Sequence, residues 1–511
     1  MGGVSASPSY IHTVSIGSPS TKSINLTNST NSPSTTSTTS PVVPNPHKLG
    51  LIISIYYLGS IIGAFLLGQL ADHIGRINAT CIAASLALAG GTLQSSAHNA
   101  AWIMGARVVT GMGTGGLMAA VPVYIAEISP ASHRGGFLGY VFVANYLGIS
   151  IAYWLDFGLA YIDHGNSAFR WRFLLAFQCL PALLLLAGIK FLPDSPRYYA
   201  SLGKYQLGRE VLEHMRGGEG PDVEKEFMEI CVVTRGIKPS SPIQFVRILI
   251  GKATEAPHLG RRAWLCLWLQ IMASWTGITA VTAYSPVLLK QAGYTSVTQN
   301  GLAGGLNTIG IVGTIISAQV VDRFGRRKCL IWGAFALFMV NAIAASLFEV
   351  TRHDIKEATS IAPAAVLMLS LFNLCYAATW GTVAFLIPTE IFPSEMRAQG
   401  NGFGITGWAI GVGCTTLVNP IMFANLESRT YFLFAGLNLL WMPIIFVFYP
   451  ETADRSLESI DAMFSTNSPL YIKMEAVYRT TGNDEGLPTR MHMSKDNSKI
   501  IEASLAVEMT S

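Results

Sequence analysis

Glu127-Ile128-Ser129-Pro130-Ala131-Ser132-His133-Arg134 returns far downstream as Glu390-Ile391-Phe392-Pro393-Ser394-Glu395-Met396-Arg397, and both read E-I-x-P-x-x-x-R. Each follows a long apolar run. Each is also preceded by a second echo, Asp72-His73-Ile74-Gly75-Arg76 in the first half and Asp322-Arg323-Phe324-Gly325-Arg326 in the second. Two motifs recurring in the same order, in similar apolar surroundings, describe an internal duplication.

Of the 511 residues half are hydrophobic and only 13% are charged, and the mean hydropathy is positive. A chain of this length is then too apolar to be soluble, and the lipid bilayer is its expected solvent. The net charge of +4 is small and scattered, which argues against a nucleic-acid partner. Cys81, Cys179, Cys231, Cys266, Cys329, Cys375 and Cys414 lie singly, without metal or redox spacing, and read as packing residues.

From Leu49 onward, apolar stretches of about 20 residues, the length a helix needs to cross ~30 Å of hydrocarbon, follow one another with short polar breaks. Eleven spans are expected, near 49–71, 79–98, 101–127, 136–158, 170–192, 263–289, 299–321, 328–348, 362–389, 399–421 and 430–449. The organisation that follows is a Ser/Thr-rich segment at 1–47, five spans at 48–192, a polar linker at 193–260, six spans at 261–449 and a polar tail at 450–511. Residues 1–47 read as a disordered surface segment, with glycosylation sequons at Asn25 and Asn28. In the linker, Lys204, Arg209, Glu210, Glu213 and Arg216 suit short solvated helices. The tail is expected to be mostly disordered.

Arg76, Arg134, Arg197, Arg216, Arg323, Arg326, Arg327, Lys328 and Arg397 all fall in breaks on one side of the bundle, which the positive-inside rule makes cytoplasmic. Arg170, Arg172, Arg352 and Lys356 are exceptions on the other side. The motifs also act as a ruler. Two spans precede the Asp322 motif in the second half and only one precedes the Asp72 motif, so the duplication predicts a further helix upstream of residue 49. Residues 1–47 hold nothing that could be it, and the chain as given is expected to lack its first transmembrane helix.

With Gly105-Ala106-Arg107, Pro193-Asp194-Ser195-Pro196-Arg197, Pro450-Glu451-Thr452 and Leu457-Glu458 added to the two duplicated motifs, the chain resembles the sugar porter family of the major facilitator superfamily, over nearly its whole length to about Asp461. These stretches are similar to the family's G-R, P-E-S-P-R and P-E-T signatures. Met1-Gly2-Gly3-Val4 is similar to the end of the G-Y-D-x-G-V-M-G-G run by which fungal members leave their first helix. The resemblance implies an all-α membrane protein of two six-helix repeats working by alternating access. It also implies charge pairs that latch the cytoplasmic ends of the two halves. The matching residues are Asp72, Arg76, Arg107, Glu127, Arg134 and Arg197 in the first half and Asp322, Arg323, Arg326, Arg327, Glu390 and Arg397 in the second. His73 and Ile77 stand where the family usually has Arg, which predicts a weaker latch in the first copy.

Gly111, Gly113, Gly115 and Gly116 lie within an apolar span, where glycine lets helix backbones approach closely; a nucleotide-binding loop would need a preceding strand. No metal-ligand spacing or nucleophile–base arrangement stands out, so no metal, cofactor or enzyme activity is expected.

The family's sugar-binding run resembles Q-x-x-Q-Q-x-S-G-x-N-A-x-x-Y-Y, whereas this chain reads Gln270-Ile271-Met272-Ala273-Ser274-Trp275-Thr276-Gly277-Ile278-Thr279-Ala280-Val281-Thr282-Ala283-Tyr284. Gln270, Gly277 and Tyr284 match, but Ala273-Ser274 replaces the amide pair and Thr279 the Asn. Gly381-Thr382-Val383-Ala384-Phe385 replaces the family's G-P-x-x-W, Trp380 precedes it, and Trp408, or Gly407 if one residue is skipped, stands where an Asn is expected. The resemblance thus places Gln270, Ser274, Thr279, Tyr284, Trp380, Phe385 and Trp408 around the solute. Each buried polar group left unpaired costs about 1–3 kcal/mol, so losing three amides should change the solute.

The expected function is secondary or facilitative transport of a sugar, polyol or similar small solute, with proton coupling implied by the family. The expected protein is a monomer in the plasma membrane. A carrier of a less polar metabolite and a non-transporting nutrient sensor are the alternatives.

Overall fold

The computed structural model describes residues 4, 7–14, 17–18, 43–129, 134–162, 167–234, 242–252, 258–291, 296–353, 355–393, 396–453, 455, 460, 463–464 and 468–481. Asn25 and Asn28, the side chains of Arg134, Arg352, Lys356 and Arg397, and the tail after residue 481 lie outside the described residues.

Helix α1 (Pro8–Thr13) comes first, and the residue pairs Gly17–Ser18 and Val43–Pro44 form a short antiparallel ladder. The first half continues with α2 (Pro46–Ile74), α3 (Arg76–Ser95), α4 (Ala100–Ile128) and α5 (Arg134–Leu159). Its last span joins α6 (Ala168–Phe177) to α7 (Cys179–Ile189). The linker holds α8 (Pro196–Ser201), α9 (Tyr205–Arg216), α10 (Pro221–Thr234) and α11 (Pro242–Leu249). In the second half α12 (Leu259–Ala273) runs through a π turn (Ser274–Ile278) into α13 (Thr279–Gln291). Then come α14 (Ser296–Phe324), α15 (Arg326–His353), the pair α16 (Ile355–Ala378) and α17 (Trp380–Ile391), α18 (Arg397–Asn425) and α19 (Arg429–Phe448). Helix α20 (Tyr471–Thr481) follows. Among the described residues eleven helices are long and apolar enough to cross a bilayer, and the expected spans are all present.

Local sequence explains where the helices begin. Asn45 accepts the His47 amide at 3.0 Å ahead of Pro46, and Asn99 accepts the Trp102 amide at 2.8 Å, each satisfying a donor that the first turn leaves free. Both faces of a span are apolar. On α2, Leu51, Leu58, Ile62 and Leu66 face outward while Ile52, Ile53, Ala64 and Leu67 are buried, because lipid is as apolar as the core. What then brings helices together is close packing. A Cβ at Gly59 or Gly63 of α2 would run into the carbonyls of Val108 and Met112, and one at Gly111 or Gly115 of α4 into those of Tyr56 and Ser60. The two helices are zipped by glycine on both sides.

Residues 1–47 are not uniformly a surface segment. Tyr10, Ile11 and Val14 are buried against Leu49, Ile52, Ile103 and Trp171, and Tyr10 meets Trp171 edge-on at 5.6 Å. The three residues form one stripe of a helix, a local pattern that the average composition of the segment hides. The cationic exceptions are also explained. Arg170 donates to the Asp156 carboxylate at 2.8 and 3.0 Å, with both side chains buried. Arg172 donates to the carbonyls of Ser95 and Ala97 at the end of α3 and stacks on Trp171. Arg170 is neutralised by its partner, while the Arg172 cation is held by carbonyls and a ring.

The linker is docked rather than free. Arg216 donates to the Ile128 carbonyl at the end of α4 and pairs with Glu226, whose hydrogen bond holds the guanidinium above its ordinary pKa. In α11, Phe245 stacks on Phe403 of α18 at 3.8 Å and meets Phe65 of α2 edge-on at 5.3 Å, touching both halves. A cavity of about 50 Å³ beneath it, lined by Phe65, Gln69, Asp72, Arg76 and Thr406, has room for a few waters and not for a hexose.

Candidate functional site

Two features carry chemistry: a charged face where the duplicated motifs meet, and the middle of the bundle. At the charged face, α2 turns into α3 at Gly75, whose φ of 94° is open to glycine but costly for other residues. Arg76 then points at the end of α4. Its Nε and Nη2 donate to the two oxygens of Glu127 at 3.1 Å each, Nη1 donates to the Ala71 carbonyl at 2.9 Å, and Nη2 lies 3.1 Å from Asp72. The second half repeats this at Gly325, with φ 87°. Arg326 donates to Glu390 at 2.9 and 3.2 Å and lies 3.3 Å from Asp322.

Each cluster has a member that sequence reasoning read as a signature but did not place in the site. Asp194 accepts the backbone amides of Arg76 and Ile77 at 3.0 and 3.4 Å. Glu451 accepts those of Arg326 and Arg327 at 2.8 and 3.2 Å. Glycine precedes each helix and offers no side-chain cap, so a carboxylate from the segment after the last span of the same half caps it instead. The remaining partners follow from these. Thr452 donates to Glu390 at 2.6 Å, and Arg327 stacks on Tyr471 and Phe446. Arg323 is exposed. The backbone amide of Arg197 donates to Ser195, and its side chain makes no ion pair among the described residues. Among the described residues the ion pairs that Arg76 and Arg326 make each lie inside one half.

Arg107 does not belong to this network. It lies about 30 Å along α4 from Glu127, buried, with Tyr10, Tyr56, Tyr57 and Tyr284 around it and no hydrogen bond at Nε. The G-A-R signature marks the residue but not the end of the helix that it occupies.

In the middle of the bundle the second half is broken twice. The helix axis is interrupted at Gly277, φ 109° and ψ 0°, and again at Thr379, φ −127° and ψ −81°. The carbonyl freed at Thr276 accepts from Asn341 at 3.2 Å and Asn438 at 2.9 Å, neither of which the motifs pointed to. Irregular backbone at membrane depth persists where it is buried in protein or lines a cavity.

The expected solute residues divide. Gln270 is buried and donates to the Ala384 carbonyl across to α17 at 2.9 Å. Ser274 is turned back on its own helix, donating to the Gln270 carbonyl at 2.8 Å. Thr279 accepts from Asn419 at 3.3 Å, and Tyr284 donates to the Thr416 carbonyl at 3.0 Å. Trp380 sits apart from these. It is fully buried, donates to the Leu330 carbonyl of α15 at 3.1 Å and packs at Gly333, on the side of α17 away from the other half. Phe385 and Trp408, by contrast, face the first half. Phe385 meets Phe142 of α5 at 5.3 Å, and Trp408 meets Tyr57 of α2 edge-on at 5.5 Å. Phe142 and Tyr57 carry no motif and were visible only once the halves were assembled.

Elsewhere the halves touch along two seams. On one, a Cβ at Gly50 of α2 would lie 2.5 Å from the Leu417 carbonyl of α18. On the other, α5 meets the second half through Trp154, which donates to Thr308 at 3.0 Å, and Tyr153, which donates to the Thr282 carbonyl.

Residues 10–464 match the model of the family described as Sugar (and other) transporter. The chain is 29% identical over 436 residues to the MFS-type transporter criB of Aspergillus cristatus, covering 84% of this chain and 87% of that one. It is 30% identical over 418 residues to the glucose transporter GlcP of Staphylococcus epidermidis, covering 81% and 87%. Among solved structures it is similar to the proton:xylose symporter XylE bound to 6-bromo-6-deoxy-D-glucose, with TM-score 0.69, 22% identity, and 82% and 90% of the two chains covered.

Proposed function

The chain belongs to the sugar (and other) transporter family and is a multi-pass membrane transporter, and on that premise we propose that it carries a sugar, polyol or similar small hydroxylated solute by alternating access, coupled to protons, across the plasma membrane. The observation that carries the reading is the pair of interruptions at Gly277 and Thr379, which put irregular backbone from two second-half spans into the middle of the bundle. Gln270 ties them together through the Ala384 carbonyl. Gln270, Thr279, Tyr284, Phe385 and Trp408 are the second-half residues that meet the solute. Names among the relatives support the solute class, a glucose transporter by sequence and a proton:xylose symporter by fold. The pairing of Arg76 with Glu127 and of Arg326 with Glu390 ties two spans of the same half together, which supports halves that move as bodies with the seams between them opening.

The test is counterflow of labelled D-glucose, D-xylose and myo-inositol in proteoliposomes containing the purified full chain. Saturable counterflow of at least one is expected, with uptake raised by an inward proton gradient. Counterflow of none of the three would remove the sugar and polyol classes, and counterflow insensitive to the gradient would remove proton coupling.

A further inference from the structure

We propose that the seam between α5 and α14 forms a hydroxyl-binding wall of the solute site, in which Ser150, Asn307 and Asn373 take hydroxyls of the carried sugar or polyol. The inference rests on the transport reading and locates hydroxyl recognition that Ala273-Ser274 and Thr279 no longer supply as amides. The two helices come from opposite halves and run antiparallel in one register. A Cβ at Gly310 would run into the Tyr146 ring, one at Gly304 would lie 3.2 Å from the Trp154 ring, and one at Gly301 would lie 2.9 Å from the Phe157 ring. That register sets Ser150, one turn on from Tyr146, against Asn307. From α16, Asn373 joins the same turn of α14. Its amide nitrogen donates to the Leu306 carbonyl at 2.7 Å and would lie 3.3 Å from the same Cβ at Gly310.

Ser150, Asn307 and Asn373 are 3%, 1% and 0% exposed, and each keeps a polar atom without a hydrogen-bond partner among the described residues: Ser150 Oγ, Asn307 Oδ1 and Asn373 Oδ1. The two amide nitrogens are held by the carbonyls of Ala303 and Leu306, at 2.8 and 2.7 Å, so the oxygens are the ends left over. Asn307 stands about 22 Å along α14 from Asp322, and Ser150 about 24 Å along α5 from Arg134, within the hydrocarbon. At that depth an unpaired polar atom is costly, and polar side chains mark the path of a solute. An amide oxygen only accepts, so the ligand has to donate, while Ser150 can donate or accept. Neighbouring hydroxyls on a sugar or polyol meet both demands. When the halves part, the Tyr146 ring leaves Gly310 and the wall is opened to the solute.

The test is binding of labelled D-glucose to the purified full chain by equilibrium dialysis, in competition with its monodeoxyfluoro analogues, since fluorine keeps the size of a hydroxyl and cannot donate. At least one analogue is expected to bind about tenfold more weakly than D-glucose. Asn307→Leu and Asn373→Leu should each weaken D-glucose by about 5- to 10-fold and bring an analogue level with it, because the acceptor that told the two apart is gone. Thermal unfolding separates this from a structural role: losing an orphaned oxygen should leave the melting temperature of both variants unchanged or higher. Two variants on different helices guard against one failing to fold. Analogues that all bind like D-glucose, or variants that keep the discrimination of the unaltered chain, overturn the proposal and leave transport standing. A lower melting temperature in both variants together with loss of all binding overturns it in favour of a structural role. Absence of D-glucose binding to the unaltered chain overturns it as well, and counterflow of D-xylose or myo-inositol then decides whether the transport reading survives.

Discussion

The two charged clusters share one geometry and differ in what surrounds it. Arg76 and Arg326 each follow a left-handed glycine, bind a Glu at the end of a span and sit on a helix capped by a carboxylate from outside that helix. In the first half the side chains of Arg76, Asp72 and Glu127 are 11%, 20% and 13% exposed, whereas in the second half Asp322 is 74% exposed beside Arg326 at 15%. The first copy, expected to be the weaker because of His73 and Ile77, is the more buried. Ile77 packs with Tyr124 and Ile189, while its counterpart Arg327 spreads over Tyr471 and Phe446. The second arginine of the motif is therefore exchangeable with an apolar contact. The first is not, because it alone reaches the Glu.

The largest expected effect tests that asymmetry directly. Arg76→Met removes both guanidinium contacts from the Glu127 carboxylate in a site with little access to water and should lower stability by about 3 kcal/mol. Arg326→Met, with Asp322 free to hydrate, should cost about 2 kcal/mol. Thermal unfolding of the two variants in detergent measures the difference, and a larger loss at Arg326 would reverse the comparison.

Next comes the packing that positions each cluster. Gly63→Ala forces a methyl into the Met112 backbone, where no side chain can yield, and should cost about 2–3 kcal/mol. Gly313→Ala meets the Leu374 carbonyl and the Ala377 methyl at 2.7 and 2.8 Å and should cost about 1–2 kcal/mol, read in the same unfolding experiment.

The caps are expected to contribute less. Asp194→Asn and Glu451→Gln keep the shape and remove the charge at the helix starts, at about 1–1.5 kcal/mol each. Equal losses would support a shared role for two segments that differ in side-chain length. A stability unchanged in both would show that the contacts are incidental.

The smallest effect is Asp322→Asn, about 0.5 kcal/mol or less, since an exposed ion pair is screened by water and salt. Asp72→Asn should exceed it by about twofold, and raising the salt concentration should erase the Asp322 effect first.

Much of this protein was legible in its residues, unevenly. The spans follow from apolar runs because the bilayer demands length and hydrophobicity, which are local properties. The pairing of Arg76 with Glu127, and of Arg326 with Glu390, was legible as a group because both motifs repeat. Asp194 and Glu451 were visible only as signature letters, since their function is to cap a helix distant in the chain. At the centre the residues were less readable. Trp380 and Phe385 lie on one helix, five positions apart, and only one of them faces the other half. A span that is apolar on every side gives no periodic signal to distinguish them.

By itself, then, the sequence determined the number of spans, the duplication and the chemistry of the charged face, because hydrophobic length and repeated charge are encoded residue by residue. Only the tertiary structure decided which aromatic rings meet across the halves, where Arg107 lies and that α1 is buried. Those outcomes depend on which faces of uniformly apolar helices are turned together, and in lipid that choice is made by close packing between segments far apart in the chain.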